Sequence, residues 1–440
     1  MKNNKMTIQE AHVGIMGIGL YLPKDRMTAK QIADATQGIW SETSVIEKLG
    51  IVEKPIPRDP IDGTQAMGVY AAQDALRRTG LDPKEIDLIL CIGEEWKEYP
   101  LTTSGIYIQE QIGAVNAWAL DIQQRCCTTV SALKIAKDMM LADNRLKVAL
   151  IVGGYRNGDL VDYADANMSM MYNLSAGGGA LLLKRNLGAN VILGTQVMSD
   201  GSMARDAGVQ FGGTVCPINS ENAPYAVKGL KLLDADHMKK RLNEVSMQNW
   251  LTCIDGALAE SQMQRSDIDY LAILHFKRSM HFAMLETLGL KSDQSIYLER
   301  YGHMGQIDQI LSLQLALDAG KVKAGSTIAF VAAGIGYAWA CGIVKWGPYK
   351  HSYSPDVTKK ITTTEAVLQH IKSGDHIVSA LAAAEPQLFL QQLHLASERQ
   401  NLKGVVVSNC LPMGRYPYFE DPQYRGQFIM EGWFYSAAIR

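Results

Sequence analysis

Two distant stretches of this chain repeat one another. Residues 80–96 read Gly-Leu-Asp-Pro-Lys-Glu-Ile-Asp-Leu-Ile-Leu-Cys-Ile-Gly-Glu-Glu-Trp, and residues 262–278 read Gln-Met-Gln-Arg-Ser-Asp-Ile-Asp-Tyr-Leu-Ala-Ile-Leu-His-Phe-Lys-Arg. Each places a polar loop, then Ile-Asp, then a short apolar run. Each follows an amphipathic helical pattern, over Thr64–Arg78 and Met247–Glu260. The parallel continues from Leu146–Gly154 to Gly325–Gly336, and from His12–Gly17 to Asn190–Gly194. Continuous apolar strands alternating with helices predict an α/β fold of mostly parallel sheet, covered by helices. Two such halves in tandem predict a pseudo-twofold pair with a boundary near Lys184–Ala189. A site at their junction would draw on strand ends from both halves.

Within the first half, Asp121-Ile-Gln-Gln-Arg-Cys126-Cys127-Thr-Thr-Val carries the reactive group. Ala117–Ile122 is predicted to be a buried strand. Thr128–Leu141 is predicted to be a helix, from the spacing of Val130, Leu133, Ala136 and Met139/Met140. Cys126 is thus expected where a strand turns into a helix, beside unpaired N–H groups and the positive end of the helix dipole. Both favour the thiolate, which is the nucleophile. The competing reading makes Cys126 and Cys127 small core residues. In the repeat register, His275 ends the strand matching Leu88–Ile92, and His303 precedes the helix Gln306–Gly320. Three reactive groups at element ends fit chemistry better than structure.

A length of 440 residues predicts two or three domains, and 47% apolar residues supply their cores. A net charge of -2 argues against nucleic-acid binding. Seven cysteines without paired spacing suit a reducing compartment. Neither C-x-x-C nor H-x-x-x-H occurs, so no structural metal is expected. Met1–Thr7 lacks a signal-peptide core, and no apolar run nears the roughly 18 residues of a membrane span. A cytoplasmic protein with no membrane partner is the expectation.

Several ordered motifs together resemble a thiolase-superfamily condensing enzyme of the β-ketoacyl-acyl carrier protein synthase III branch. They are Gly17–Pro23, Leu49-Gly-Ile51, Asp121 to Cys126, Ala176–Ala180, His275, Tyr301-Gly-His303 and Gly334–Trp339, and they span about His12 to Trp346. The resemblance implies duplicated α/β halves in α-β-α-β-α layers. The half at 7–186 would carry the nucleophile, and the half at 187–348 the two histidines. It implies a homodimer that uses acyl-CoA or acyl carrier protein as substrate, without a cofactor, in fatty acid or polyketide biosynthesis. By position, Cys126 would be acylated, His275 would be the first catalytic histidine, and His303 would replace the family's asparagine. The backbone N–H groups of Cys126 and Gly336, or a neighbour in Gly334–Tyr337, would form the oxyanion hole. A neutral histidine can donate to an enolate oxygen as an amide would, but it can also titrate.

Other positions depart from the family. Its adenine-stacking tryptophan falls on Ser44 and its nearby arginine on Lys48. The segment after the first histidine is Phe276-Lys277-Arg278, which suggests a different CoA grip or a carrier-protein donor. Solvated surface cations are the alternative. Tyr99 falls where the family's loop lines the partner's acyl pocket, which would shorten that pocket. Glu95 and Glu98 are candidate cross-subunit bases, or surface charge.

After Pro348 the composition shifts. Residues 349–360 are expected to be a linker, and 361–440 a partial α/β module. A Thr-x-x-Glu box at 362–365 would open a helix to Lys372, followed by a strand at His376–Leu381, a helix start at Pro386 and a strand at Gly404–Ser408. Ile371–Val378 and Ala384–Leu388 resemble the opening of the acetyl-CoA hydrolase/CoA-transferase family, which implies a truncated or vestigial half-domain. Three functions are compatible with these readings: a Claisen-condensing acyltransferase, a non-condensing acyltransferase or thioesterase using the same acyl-enzyme, and an inactive thiolase-fold scaffold.

Overall fold

The computed structural model describes residues 11–349, 362–380, 384–410 and 414–434. These residues divide into two units, the larger spanning 11–349 and the smaller the described residues from 362 onward.

In the larger unit the strands are, in chain order, β1 (Val13–Tyr21), β2 (Arg26–Thr28), β3 (Glu53–Pro55), β4 (Leu88–Cys91), β5 (Trp118–Asp121), β6 (Val148–Tyr155) and β7 (Gly177–Arg185). They continue as β8 (Ala189–Ser199), β9 (Ala207–Val209), β10 (Leu230–Leu232), β11 (Tyr270–Ile273), β12 (Thr327–Gly334) and β13 (Ala338–Pro348). Nine of them form one sheet, in the order β11-β12-β13-β8-β1-β7-β6-β4-β5. Outward from its centre, one side runs β8, β13, β12, β11 and the other β1, β7, β6, β4, with β5 added at the edge. The pairing senses agree. β8 and β13 run antiparallel as β1 and β7 do, and β12 runs parallel to β11 as β6 does to β4. The two sides join through a single registered pair, Gly14–Val191.

Helices Thr128–Ala142 and Asp308–Asp318 form the middle layer. The first touches β6, β8 and β13, and the second touches β1, β7 and β11, so each meets strands from both sides. Helix Thr64–Thr79 covers β1, β6 and β7 from outside, and helix Ala235–Glu260 covers β8 and β13. The burial pattern agrees. All eight residues of β6 are buried, as are Ile310, Leu311 and Leu313 on a middle helix. A continuous apolar core therefore fixes where the two middle helices begin.

The nine-stranded sheet is mixed rather than mostly parallel, with five antiparallel and three parallel pairings, and two elements of the larger unit also differ from expectation. The strand at 118–121 is an edge strand paired only with β4 among the described residues, and its Trp118 is 49% exposed. Its apolar residues therefore do not mark a buried strand. The second outer helix starts at Ala235, well before Met247, where Asp234 accepts from the His237 N–H. Its first turns carry Lys239, Lys240 and Arg241, which hide the apolar period.

In the smaller unit, β14 (His376–Val378), β15 (Val405–Cys410) and β16 (Phe428–Phe434) form a parallel sheet. Its core includes Leu390, Leu393, Val405, Val407, Tyr416 and Phe428. The first helix, Thr364–Leu368, is capped by Thr363, whose side chain accepts from the Ala366 N–H. The cap is therefore not the Thr362 of the expected box, and the helix stops short of Lys372. Pro386 caps helix Gln387–Gln392 as expected. The expected linker, apart from Tyr349, lies outside the described residues, as does Leu381. Among the described residues, no helix is long and apolar enough to cross a membrane, and no group of three or more His, Cys, Asp or Glu could hold a metal.

Candidate active site

Cys126 lies in a single 3-10 turn, Arg125–Cys127, between β5 and the middle helix Thr128–Ala142. Asp121, at the end of β5, accepts from the N–H groups of Ser104 and Gly105 and so caps helix Ser104–Ile112. Opposite, the pseudo-equivalent turn Gly305–Ile307 opens the middle helix Asp308–Asp318, and the two turns touch. The duplication thus brings two helix N-termini, one from each half, to one point.

Three residues from that point line up. Cys126 Sγ lies 3.1 Å from His303 Nε2. On the far side of the ring, His303 Nδ1 lies 2.6 Å from Asp308 Oδ2. Asp308 is fully buried and also accepts from the Met304 N–H at 2.7 Å and the His275 N–H at 2.7 Å. These donors satisfy a carboxylate that burial would otherwise penalise heavily. The Nδ1–H of His303 therefore points at Asp308, and Nε2 faces the sulfur. Burial pushes the imidazole down, but the Cys126 sulfur and Asp308 outweigh it and hold His303 well above its ordinary value. The arrangement can take the thiol proton and hold it as imidazolium. Sequence reasoning missed Asp308. Its signal was a carboxylate five residues after His303 at a helix start.

His275 sits two residues beyond β11 and is committed elsewhere. Its Nε2–H donates to the Gly50 carbonyl at 3.2 Å, so Nδ1 is bare and accepts from Asn173 Nδ2 at 3.0 Å. Burial pushes its imidazole down to about 3. Gly50 has φ 77°, and a Cβ there would lie 1.9 Å from the Tyr297 hydroxyl. The Leu49-Gly-Ile51 motif is thus a backbone acceptor for His275.

Cys127 is fully buried, donates to the Ala338 carbonyl at 3.3 Å and has its thiol pushed well up by burial. It packs, whereas Cys126 opens into a cleft. Gly336 lies in the turn joining β12 to β13, and that turn lies against the nucleophile's backbone. A Cβ on Gly334 would lie 3.1 Å from the Cys126 nitrogen.

The cleft has a volume of about 550 Å³. Leu160, Leu174, Val209, Phe211, Leu230 and Ile335 supply apolar wall, and Glu94, Glu95, Arg125 and Asn157 supply polar wall. Arg125 bonds Glu94 at 2.9 Å and Glu95 at 3.2 Å. Sequence reasoning missed Glu94, Arg125, Asn157 and Asn173. Only Glu94 and Arg125 left a trace, as neighbours of motif residues.

The other sequence candidates stand apart from this cleft. Lys48 and Tyr99 are exposed, Tyr99 by 70%. Lys277 is exposed and precedes helix Arg278–Leu288, with no side-chain bond to its first turn. Arg278 pairs with Glu299 and lies over the Tyr297 ring at 4.9 Å, and that ring lies 5.0 Å from the His275 ring. Arg278 thus reaches the site through one aromatic residue. The Glu98 carboxylate accepts from the Gln65 and Ala66 N–H groups, so it caps helix Thr64–Thr79. That contact accounts for it as a cap.

Residues 120–201 match the family described as 3-oxoacyl-[acyl-carrier-protein] synthase III, and residues 258–346 match its C-terminal domain. The chain is 26% identical over 344 residues to the β-ketoacyl-[acyl-carrier-protein] synthase III of Syntrophomonas wolfei, covering 76% of this chain and 98% of that one. It is 24% identical over 346 residues to the enzyme of the same name from Azobacteroides pseudotrichonymphae, covering 78% and 100%. The crystal structure of 3-oxoacyl-[acyl-carrier-protein] synthase III from Aquifex aeolicus superposes with a TM-score of 0.65 at 22% identity, covering 76% of this chain and all of that one. The larger unit has the thiolase-like fold, and two stretches of it match models of the 3-oxoacyl-[acyl-carrier-protein] synthase III type.

Proposed function

We propose that the larger unit is a condensing acyltransferase. It takes an acyl group from acyl-CoA, or from acyl carrier protein, onto Cys126 and then forms a C–C bond to give a β-ketoacyl thioester. The contact of Cys126 Sγ with His303 Nε2 at 3.1 Å, backed by Asp308, carries the first step. His303 removes the thiol proton, the sulfur attacks the thioester carbonyl, backbone N–H groups of Cys126 and the 334–337 turn receive the oxyanion, and its collapse breaks the donor's C–S bond, the departing thiolate taking the proton from His303. The names of the relatives support the second step. Lys277 and Arg278 would meet the donor's phosphates or the carrier protein.

One observation favours a second reading, transfer of the acyl group to a heteroatom acceptor. Both ring nitrogens of His275 are bonded within the protein, and both of His303 are engaged in the Cys126–Asp308 line. Once Cys126 is acylated it carries no thiol proton, and Asp308 holds the Nδ1–H, so Nε2 of the neutral His303 is bare: it can take a proton from an O–H or N–H acceptor but cannot donate to an enolate.

The enzyme would work as a cytoplasmic homodimer in fatty acid or polyketide biosynthesis. The edge strand β5 and exposed Ile106, Tyr107, Val115 and Trp118 support the dimer. The parallel βα pattern of the smaller unit supports a partial CoA-transferase-like module.

Intact-protein mass spectrometry with a panel of acyl-CoAs and acyl carrier proteins tests the reading. One acyl mass on the wild type, absent in Cys126→Ala, is expected. Failure of Cys126 to load with any donor leaves the scaffold reading. A new C–C bond in the product supports condensation, and an ester, amide or free acid supports the second reading.

A further inference from the structure

The cleft wall beside Cys126 carries an uneven set of charges. Glu94 is 4% exposed, lines the cleft and shares Arg125 with Glu95. Among the described residues lining the cleft, Arg125 is the sole cation. Its Nη1 is also bonded to Gln123 at 3.3 Å. Behind the nucleophile stands Asp308, and proton exchange between Cys126 and His303 leaves the net charge unchanged. The site therefore holds two more negative than positive charges. In a cleft walled by apolar side chains, that excess acts on any entering group with little screening. Burial raises the Glu94 carboxyl, and Arg125 opposes it. The buried Asn157 Oδ1 has no hydrogen-bond partner.

We propose that Glu94, held in place by Arg125, selects the second substrate: it takes a hydrogen-bond-donating group, an ammonium above all, and turns away carboxylated thioesters of the malonyl type. The inference rests on the proposed acyl-enzyme and assigns the chemistry of its discharge under the heteroatom-acceptor reading. An amine bound as its ammonium gives one proton to the Glu94 carboxylate and becomes nucleophilic. Its nitrogen attacks the acyl carbon and the C–S bond breaks. The second nitrogen proton passes through His303 to the departing Cys126 sulfur. An amide leaves, the thiol is restored, and Glu94 returns its proton to solvent. In a condensation the same wall selects an uncarboxylated acyl thioester.

The charge at Cys126 can be measured without any acyl chemistry. Full-length protein is treated with iodoacetate, iodoacetamide and 2-bromoethylammonium, and alkylation of the Cys126 peptide is followed by mass spectrometry. Relative to free cysteine, the cationic reagent is expected to gain on the anionic one by about tenfold or more. Glu94→Gln should reduce that ratio about tenfold, exposed Glu95→Gln should reduce it less, and Arg125→Gln should increase it. Circular dichroism checks that each variant is folded, and Glu95→Gln keeps the test alive if Glu94→Gln is not. An unchanged ratio in Glu94→Gln and Arg125→Gln overturns the proposal. Discharge of the acylated enzyme by ethanolamine, ethanol and malonyl-CoA then reads the selection itself. Equal discharge by malonyl-CoA in wild type and Glu94→Gln also overturns it. A charge-dependent alkylation ratio in a protein that never acylates would instead sink the acyl-enzyme reading.

Discussion

Asp308 Oδ2 lies 2.6 Å from His303 Nδ1 while His303 Nε2 lies 3.1 Å from Cys126 Sγ, so one buried carboxylate sets which face of the imidazole meets the sulfur. An asparagine at 308 can offer its N–H₂ to Nδ1 and turn the tautomer around, leaving Nε2 protonated toward the thiol. Asp308→Asn is expected to slow acylation of Cys126 by about 10²- to 10⁴-fold, the range for a lost general base. Time-resolved intact mass after mixing with acyl-CoA measures it. Asp308→Glu, which keeps the charge, should retain more activity, a difference that a merely structural role would not produce.

His275 predicts a pH effect on stability. Its folded value of about 3 lies below the ordinary 6.5, so the unfolded chain binds the proton that the folded chain refuses. Its penalty is absent above pH 6.5 and grows as pH falls toward 3. At pH 5 it is about 2 kcal/mol for this fully buried group. His281, pushed down to about 4 by burial, acts in the same direction. Thermal melts at pH 5 and 7.5 should show a smaller gap for His275→Gln than for wild type.

His303 has the opposite sign. Because its value is raised, its contribution is fully present below the ordinary 6.5 and is lost as pH rises through its higher folded value. Cys126→Ala removes the sulfur that raises it. The variant should therefore lose less stability than wild type between pH 6.5 and 9.5 in parallel melts.

Lys54 ties the cleft wall to the core. It is fully buried, and its Nζ lies 2.6 Å from the Tyr163 hydroxyl and from the Tyr172 and Leu174 carbonyls. That stretch carries Asn173, and Leu174 bridges to His303. Lys54→Met strands two buried carbonyls, at about 1–3 kcal/mol each. Limited proteolysis should show new cuts within 160–175, and Cys126 loading should fall with them.

Cys127 provides an internal control for the alkylation rates. Its buried, hydrogen-bonded sulfur predicts labelling at least about 100-fold slower than Cys126 in native protein, with both reacting after denaturation. Peptide mapping separates the adjacent sites by fragmentation.

The duplicated α/β halves, the strand-to-helix position of Cys126 and the element ends holding His275 and His303 were legible in the chain, because apolar period and turn residues act over a few neighbours. The sequence by itself also showed that the histidines come from the half that lacks the nucleophile. Tertiary structure alone decided which imidazole meets the sulfur. That choice depends on where Asp308 is buried and on Gly50 and Asn173 occupying His275, contacts made by residues up to 225 positions apart. It also placed Glu94 and Arg125 on the cleft wall and left β5 at an edge. Local pattern specifies how each segment folds. The partner of a buried charge is specified only when segments distant in the chain pack together and exclude water.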